Sequence, residues 1–321
     1  VSALNEGMVR TARLSGPPLE GFALYGFLYV WNEADIIEAS VRNLFLQGCD
    51  RVFLVDHASD DATAALAQAQ GAQLFSTHAE RFFEESAKVL LANRCMAEVS
   101  ARSGLEHVWW LFTDADEFPH GPGGRTVRGY LEELPGNYRV VGSRVLEHAP
   151  DAGAFAPGTN PVARYPRARP DPVAHCPAGH LKHQLLRFDR DAPPLYTGPG
   201  YHIFASDACP LPEPESSLVV HHFPHRAPAV TAARLKRILE ENRLKRMLRD
   251  WNDPAKAGKG AAGETGRIEK DLHHWHARLR DLKKTYRLHE TLPLWTELVP
   301  PEDAVMAGWE EPQDSRRVPR P

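Results

Sequence analysis

Cysteine is scarce: four residues, Cys49, Cys95, Cys176 and Cys209, in a chain of 321, with none in a C-x-x-C spacing. That is too little for a disulfide framework and wrongly spaced for a four-cysteine zinc site, so reduced thiols are expected. Long apolar runs are also missing. The longest, Phe22 to Trp31, has the length of a strand and falls far short of the ~18 to 20 residues of a membrane span. No basic segment followed by an apolar one and a small-residue cleavage site opens the sequence, and the cytoplasm is the expected location. Three nucleotide or nucleophile motifs are absent as well. There is no G-x-x-x-x-G-K-[ST] phosphate loop and no G-x-S-x-G elbow, and Gly121-Pro122-Gly123-Gly124 does not lead a strand into a helix as a dinucleotide fingerprint requires. What is present is the composition of a globular chain, 42% hydrophobic and 25% charged, long enough for one large domain or two ordinary ones.

Charge is small overall and uneven along the chain. The formal net charge is -4, yet Arg226 to Glu290 holds 17 Lys+Arg against 9 Asp+Glu, leaving 21 against 33 elsewhere. A basic helical stretch of this kind is usually a solvated face, and peripheral membrane contact or pairing with a second copy are the partner readings it leaves open. No nucleic-acid partner is expected.

The apolar pattern alternates between strand and helix. Phe22 to Val30 reads as a buried strand, and Ile36, Ile37, Val41, Leu44 and Phe45 then recur at helical spacing before Gly48. Arg51 to Val55 is a second strand, Asp61 to Gln70 an Ala-rich helix closed by Gly71, and Gln73 to Ser76 a third strand. A long helix from Glu84 to Ser103 and a fourth strand from Val108 to Thr113 complete the series. This order predicts an α/β fold, a Rossmann-like and mainly parallel sheet with helices on both faces and with ligands at the carboxyl ends of its strands. After Pro119 the texture turns Gly- and Pro-rich with short strands, among them Tyr138 to Glu147, Gln184 to Phe188 and Leu218 to His222, which suggests loops and antiparallel additions. From Thr231 two amphipathic helices are expected, the second with Ile268, Leu272, Trp275, Leu279, Leu282 and Tyr286 spaced as in a coiled-coil seam. The expected organisation is a tail at 1–19, a catalytic domain at 20–228 (a nucleotide-binding half, 20–118, and an acceptor-side half, 119–228), a helical extension at 229–292 and a tail at 293–321.

The chemistry concentrates where strands end. Val108 to Thr113 runs directly into Asp114-Ala115-Asp116-Glu117, three carboxylates within four residues. Crowded carboxylates repel one another unless a cation neutralises them, and hard oxygen donors suit Mg²⁺, Mn²⁺ or Ca²⁺. Val52 to Val55 likewise ends in Asp56, followed by His57-Ala58-Ser59-Asp60-Asp61-Ala62-Thr63, and the first strand ends in Trp31-Asn32-Glu33. Asp61 is expected to cap the next helix.

These residues resemble the nucleotide-sugar-dependent glycosyltransferases of the GT-A fold, family 2 type. Val30-Trp31-Asn32-Glu33 is similar to that family's first strand ending, Val55 to Thr63 to its Val-Asp-Asn-Gly-Ser-Thr-Asp-Gly-Thr, and Phe112 to Phe118 to its Asp-x-Asp segment. Val220-His221-His222-Phe223-Pro224-His225-Arg226 resembles the His-Phe-Pro-Tyr-Arg element of one subgroup. The resemblance implies a GT-A domain, to which the periodicity from Thr231 adds a C-terminal helical extension. It also implies a metal-dependent hexosyl or related glycosyl transfer, with inversion, from a nucleotide diphosphate-sugar to an acceptor hydroxyl on a glycan or small molecule. Asp56 would contact the nucleoside, with Asn32 and Glu33 beside it. Asp114 would face the ribose or the metal, Asp116 would bind the divalent cation, Mn²⁺ or Mg²⁺, and His222 would be the late metal or diphosphate ligand. Ala58 and Ala62 stand where the family has glycines, and His57 where it has asparagine, which bears on the turn and the nucleoside fit.

Other candidates are less distinctive. Lys182, Arg187 and Arg226 are available to offset diphosphate charge. Asp207, Glu213 and Glu215 are placed in sequence as acceptor-side bases without a motif to choose among them, so the catalytic residue stays unassigned. His175, Cys176, His180 and His183 have no standard zinc spacing, and His202 follows Gly198-Pro199-Gly200-Tyr201. Two rival readings use the same residues: a nucleotide or anionic-ligand binding module with a basic helical surface, and a metal-dependent nucleotidyltransferase or phosphatase. Nucleobase, sugar, acceptor and oligomeric state are not encoded in any motif found.

Overall fold

The protein is described by a computed structural model over residues 9–11, 13–79, 83–148, 160–170, 181–206, 211–227 and most of 230–241. The strands are β1 Val9–Thr11, β2 Phe22–Val30, β3 Arg51–Asp56, β4 Gln73–Thr77, β5 His107–Thr113, β6 Glu117–His120, β7 Val140–His148, β8 Ala168–Pro170, β9 Leu181–Asp189, β10 Leu195–Thr197, β11 Phe204–Ser206, β12 Leu211–Glu213 and β13 Leu218–His222. The helices are α1 Ile37–Leu46, α2 Thr63–Ala69, α3 Glu85–Ser103, α4 Val127–Leu131 and α5 Pro161–Arg164. Two compact units divide at Pro224 and His225, and the sheet belongs to the first.

Nine strands form that sheet in the order β4-β3-β2-β5-β9-β7-β13-β6, with β8 paired to β7. Its first half is the expected parallel one: β4, β3, β2 and β5 all run the same way. The second half is mixed: β9 is antiparallel to both β5 and β7, and β6 to β13, while β13 is parallel to β7. The reason lies in the connections. Helical crossovers of the kind that return a chain to a parallel strand end with α3, and the Gly- and Pro-rich segment beyond leads into an antiparallel neighbour. The β1–β12 and β10–β11 pairs are separate small ribbons.

Period-two alternation divides the core between the two faces of the sheet. Leu24, Leu28, Val52, Leu54, Trp109 and Leu111 pack with Val41 and Leu44 of α1, Ala67 of α2 and Val127 of α4. The intervening Tyr25, Phe27, Phe53, Val55, Trp110 and Phe112 pack with Ala92, Cys95 and Met96 of α3. Both faces are thus covered, and the central strands read as continuous apolar runs for that reason. Cys49 and Cys95 are buried free thiols, and burial pushes both well above the ordinary cysteine value. Gly48, Gly71 and Gly104 close α1, α2 and α3 with positive φ, as the helix-stop reading of the first two anticipates.

Among the described residues no helix is long and apolar enough to cross a membrane. Within the second unit Thr231 Oγ1 donates to the Arg226 carbonyl at 3.0 Å and accepts from the Arg226 amide at 3.0 Å. The seam expected over Ile268 to Tyr286 lies outside the described residues.

Candidate functional site

Strands β2, β3 and β5 are parallel neighbours, with Val30 opposite Asp56 and Leu28 opposite Thr113. Their carboxyl ends therefore share one edge, and two strand spacings of ~4.8 Å separate the end of β3 from that of β5. This edge carries Asn32, Glu33, Asp56, Asp114, Asp116 and Glu117.

The nucleoside side of the edge is tied by short hydrogen bonds. Ser59 donates through Oγ to Asp56 Oδ1 at 2.6 Å and through its amide to Oδ2 at 3.2 Å, an Asx-type turn that fixes the carboxylate at the strand end. Asn32 and Asp60 bond reciprocally: Asn32 Nδ2 donates to Asp60 Oδ1 at 2.6 Å, and the Asp60 amide donates to Asn32 Oδ1 at 2.9 Å. The Asn32 amide donates to Ser59 Oγ at 2.9 Å, and the Glu33 amide to Thr63 Oγ1 at 2.7 Å. The N-cap of α2 is Ala62 rather than the expected Asp61, which instead accepts from the Thr63 amide at 2.8 Å from one residue before it.

The departures from the family's turn acquire a physical meaning here. Ala58 has φ +46°, the left-handed region where a glycine fits without strain, whereas Ala62 has φ −79° and needs none. The His57 ring is buried and turned inward, its Nδ1 3.0 Å from the Tyr29 hydroxyl and its centroid 5.1 Å from Trp31.

On the acidic side, β13 delivers the histidine. It lies antiparallel to β6 with His222 opposite Glu117, and the Phe223 amide donates to the Asp116 carbonyl at 2.9 Å. His222 Nε2 comes to 3.8 Å from Asp116 Oδ1. That gap is too long for a hydrogen bond. It suits two ligands of one cation, since donors ~2.1 Å from an ion are separated by up to ~4.2 Å. A carboxylate with an imidazole tilts the preference toward Mn²⁺ over Mg²⁺ or Ca²⁺. Among the described residues no three His, Cys, Asp or Glu side chains converge as a metal site, so a cation here needs oxygens from a ligand to complete its shell.

Asp114 is held differently. Lys88 Nζ, from α3, donates to its Oδ1 at 2.6 Å, and Lys182 Nζ, from β9, stands 3.9 Å from its Oδ2. Burial alone would raise the Asp114 pKa, but the two ammonium groups outweigh it and hold the carboxyl below its ordinary range. Burial likewise disfavours charge on the two lysines; Asp114, Glu85 and Glu117 reverse that for Lys88, and Glu117 and Asp114 for Lys182. The sequence pointed to Lys182 but not to Lys88. A signal was there: Lys88 shares the buried stripe of α3 with Ala92, Cys95 and Met96, where an unpaired lysine is not tolerated.

Several candidates lie elsewhere. Arg187 pairs with Asp189 at 2.7 Å and sits opposite Trp109, at the far end of β5 from Asp114. Glu213 is buried against His183, Oε2 to Nε2 3.5 Å, and Glu215 is an exposed partner of Arg13, so neither is poised as a base at this edge. His183 Nδ1 faces the His202 carbonyl at 2.8 Å. Asp207, His175, Cys176 and His180 lie outside the described residues, and Arg226 belongs to the second unit. A buried histidine trio also escaped sequence reasoning. His221 Nδ1 is 2.7 Å from His148 Nε2 and its Nε2 is 3.2 Å from His120 Nε2, joining β13 to β7 and β6. Its members are scattered in sequence, and only strand pairing brings them together.

No family model and no curated protein matches the chain. Among solved structures it is similar to glucosyl-3-phosphoglycerate synthase from Mycobacterium tuberculosis in complex with Mn²⁺, uridine diphosphate and glucosyl-3-phosphoglycerate. The identity is 18% over 38% of this chain and 44% of that one, with a TM-score of 0.27. It is also similar to a mannosyltransferase from Pyrobaculum calidifontis in complex with GDP-Man and Mn²⁺, at 23% identity, 33% and 32% coverage and a TM-score of 0.25. A third is mannosyl-3-phosphoglycerate synthase from Rubrobacter xylanophilus, at 20% identity, 39% and 40% coverage and a TM-score of 0.25. The matched part spans less than half the length of each of these chains.

Proposed function

We propose that the chain is a divalent-cation-dependent glycosyltransferase that moves a glycosyl group from a nucleotide diphosphate-sugar to an acceptor hydroxyl, with inversion at the transferred carbon. The observation that carries the reading is the shared edge: Asp56, Asn32 and Glu33 at the ends of β3 and β2, Asp114 and Asp116 at the end of β5, and His222 brought to 3.8 Å from Asp116 by β13. Ligands of α/β sheets bind outside the carboxyl ends of strands, and this edge offers both halves of a nucleoside diphosphate a partner. Asp56 and the Asn32–Asp60 loop receive the nucleoside. Asp114, fixed by Lys88, faces the ribose. Asp116 and His222 hold the cation, which when bound offsets the negative charge growing on the departing diphosphate.

Inversion calls for a base on the opposite side of the sugar from the leaving group. Glu213 and Glu215 are committed elsewhere, so that residue is unassigned. The acceptor is a glycan or small molecule, and contact with a membrane or a second copy through the basic segment from Arg226 to Glu290 is part of the same proposal.

The test is product analysis. The protein is incubated with Mn²⁺ and UDP- or GDP-hexoses, with water as the slow surrogate acceptor. Release of nucleoside diphosphate and free sugar, lost in Asp116→Asn, is the expected result. Sugar phosphate or inorganic phosphate as product would contradict it and favour a nucleotidyltransferase or phosphatase.

A further inference from the structure

The segment Gly198-Pro199-Gly200-Tyr201-His202, noted in the sequence for its histidine, bears on the site through its tyrosine. Pro199 to His202 is a tight turn closed by the His202 amide on the Pro199 carbonyl at 3.1 Å, with φ +58° at Gly200 and +59° at Tyr201. Glycine takes that conformation freely, whereas a bulky aromatic there is strained and persists only where packing over-determines it. The packing is on α3 and β5. Asn93 and Thr197 bond reciprocally at 2.9 and 2.8 Å, which ties β10 to α3. The Tyr201 ring is fully buried, stacks on Phe112 with centroids 5.6 Å apart, and lies under Lys88 Nζ, 4.4 Å from its centroid. Its hydroxyl is buried and has no hydrogen-bond partner among the described residues. Backbone strain and an unpaired hydroxyl both cost stability, which points to the position of the ring as the reason for the turn.

Lys88 has a choice that this turn removes. Its ammonium carries three donors on a flexible stem. One meets Asp114 Oδ1 at 2.6 Å, and Glu85 Oε1, a second carboxylate on the same helix, stands 3.8 Å away. The turn acts on both sides of that choice. The Gly200 amide donates to Glu85 Oε1 at 2.7 Å, which occupies the competing oxygen, and the Tyr201 ring presents its negative face to the ammonium. Such a face stabilises a buried cation without offering it an acceptor that would draw it off Asp114. We infer that Tyr201 is a positioning residue that acts through its ring, holding Lys88 on Asp114 and so fixing Asp114 for the nucleotide. This role rests on the glycosyltransferase reading and deepens it.

The experiment keeps the shape of the ring and changes its charge distribution. The full chain is prepared as the native protein, as Tyr201→Phe and, by amber suppression, as Tyr201→pentafluorophenylalanine, whose fluorines cancel the negative face; each is melted thermally. Lys88 is followed without ligand by its rate of acetylation, read by mass spectrometry, and UDP and GDP are titrated calorimetrically with Mn²⁺. Tyr201→Phe is expected to melt higher, to keep nucleotide affinity within about twofold, and to leave Lys88 as protected as in the native chain. The fluorinated protein is expected to bind nucleotide about fivefold or more weaker and to acetylate Lys88 about fivefold or more faster. Equal behaviour of the two ring variants overturns the role: alike and native-like, the charge of the ring is irrelevant, and alike and weakened, the hydroxyl acts instead. Should the fluorinated protein not fold, Tyr201→Leu replaces it with the same expectations. If no protein binds a nucleotide but Lys88 still separates the ring variants, the glycosyltransferase reading falls and the placement of Lys88 by Tyr201 stands.

Discussion

His148 should make the fold acid-sensitive in a pH window set by its burial. Its ring is buried at the end of β7, with Nδ1 2.5 Å from the Tyr165 carbonyl and Nε2 2.7 Å from His221 Nδ1. Burial is the main reason its pKa falls to about 4; the Tyr165 carbonyl opposes the drop, and His222 adds to it. An unfolded histidine titrates near ~6.5. The folded value lies below the unfolded one, so as pH falls the unfolded chain takes up a proton that the folded chain refuses. The stabilisation is therefore complete above ~6.5, is lost between ~6.5 and ~4, and changes no further below. A gap of about 2.5 pH units at ~1.4 kcal/mol each gives a loss of about 3 kcal/mol. Carboxylates titrate in the lower part of the same window, so the native chain is compared with His148→Gln, whose amide can still donate to Tyr165 and accept from His221. Urea unfolding at intervals from pH 7.5 to 4 should show the native advantage over the variant shrinking by about 3 kcal/mol. A difference that stays constant within ~0.5 kcal/mol across that range would refute the reasoning.

Three further outcomes follow from particular contacts. Asp189 is buried with Arg139 Nε at 2.5 Å, Arg187 Nε at 2.7 Å and His107 Nδ1 at 2.7 Å; Asp189→Asn should cost about 3 to 5 kcal/mol in urea unfolding, because it strands two guanidinium groups. Ala58 sits at φ +46°, so Ala58→Gly should raise stability by up to about 1 kcal/mol, read as a higher melting temperature, and a lower one would contradict the strain argument. Trp110 Nε1 donates to Ser100 Oγ at 2.8 Å within the α3-side core, so Ser100→Ala should cost about 1 to 3 kcal/mol with a native-like circular dichroism spectrum.

The parallel half of the sheet was legible in the sequence because its signals are local. The sequence places Phe22–Val30 at its observed limits, and β3, β4, β5 and α3 to within one residue at either end, since apolar runs punctuated by glycines such as Gly48 and Gly71 are strong local signals. The second half was legible in part: the strand readings at Tyr138 to Glu147, Gln184 to Phe188 and Leu218 to His222 fall on β7, β9 and β13, but their pairing was not. Residues 117–120 form a strand through pairing with β13 rather than through a pattern of their own, and nothing in Glu117-Phe118-Pro119-His120 announces it. The candidate site divides in the same way. Asp56, Asp114 and Asp116 declare themselves as carboxylates ending apolar strands, but the meeting of His222 with Asp116 depends on a register between segments about a hundred residues apart. The lysines are subtler. Lys182 reads as a general phosphate partner, yet its observed neighbours are Glu117 and Asp114, and Lys88 hides on a helix where charged residues usually face water.

The most direct test of the site is calorimetric titration of UDP, GDP and dTDP into the full chain with and without Mn²⁺, for the native protein and Asp116→Asn. The account predicts one nucleotide bound only with the metal, by an affinity that Asp116→Asn lowers about tenfold or more. Binding that ignores the metal, or no binding of any of the three, would contradict a donor site at this edge.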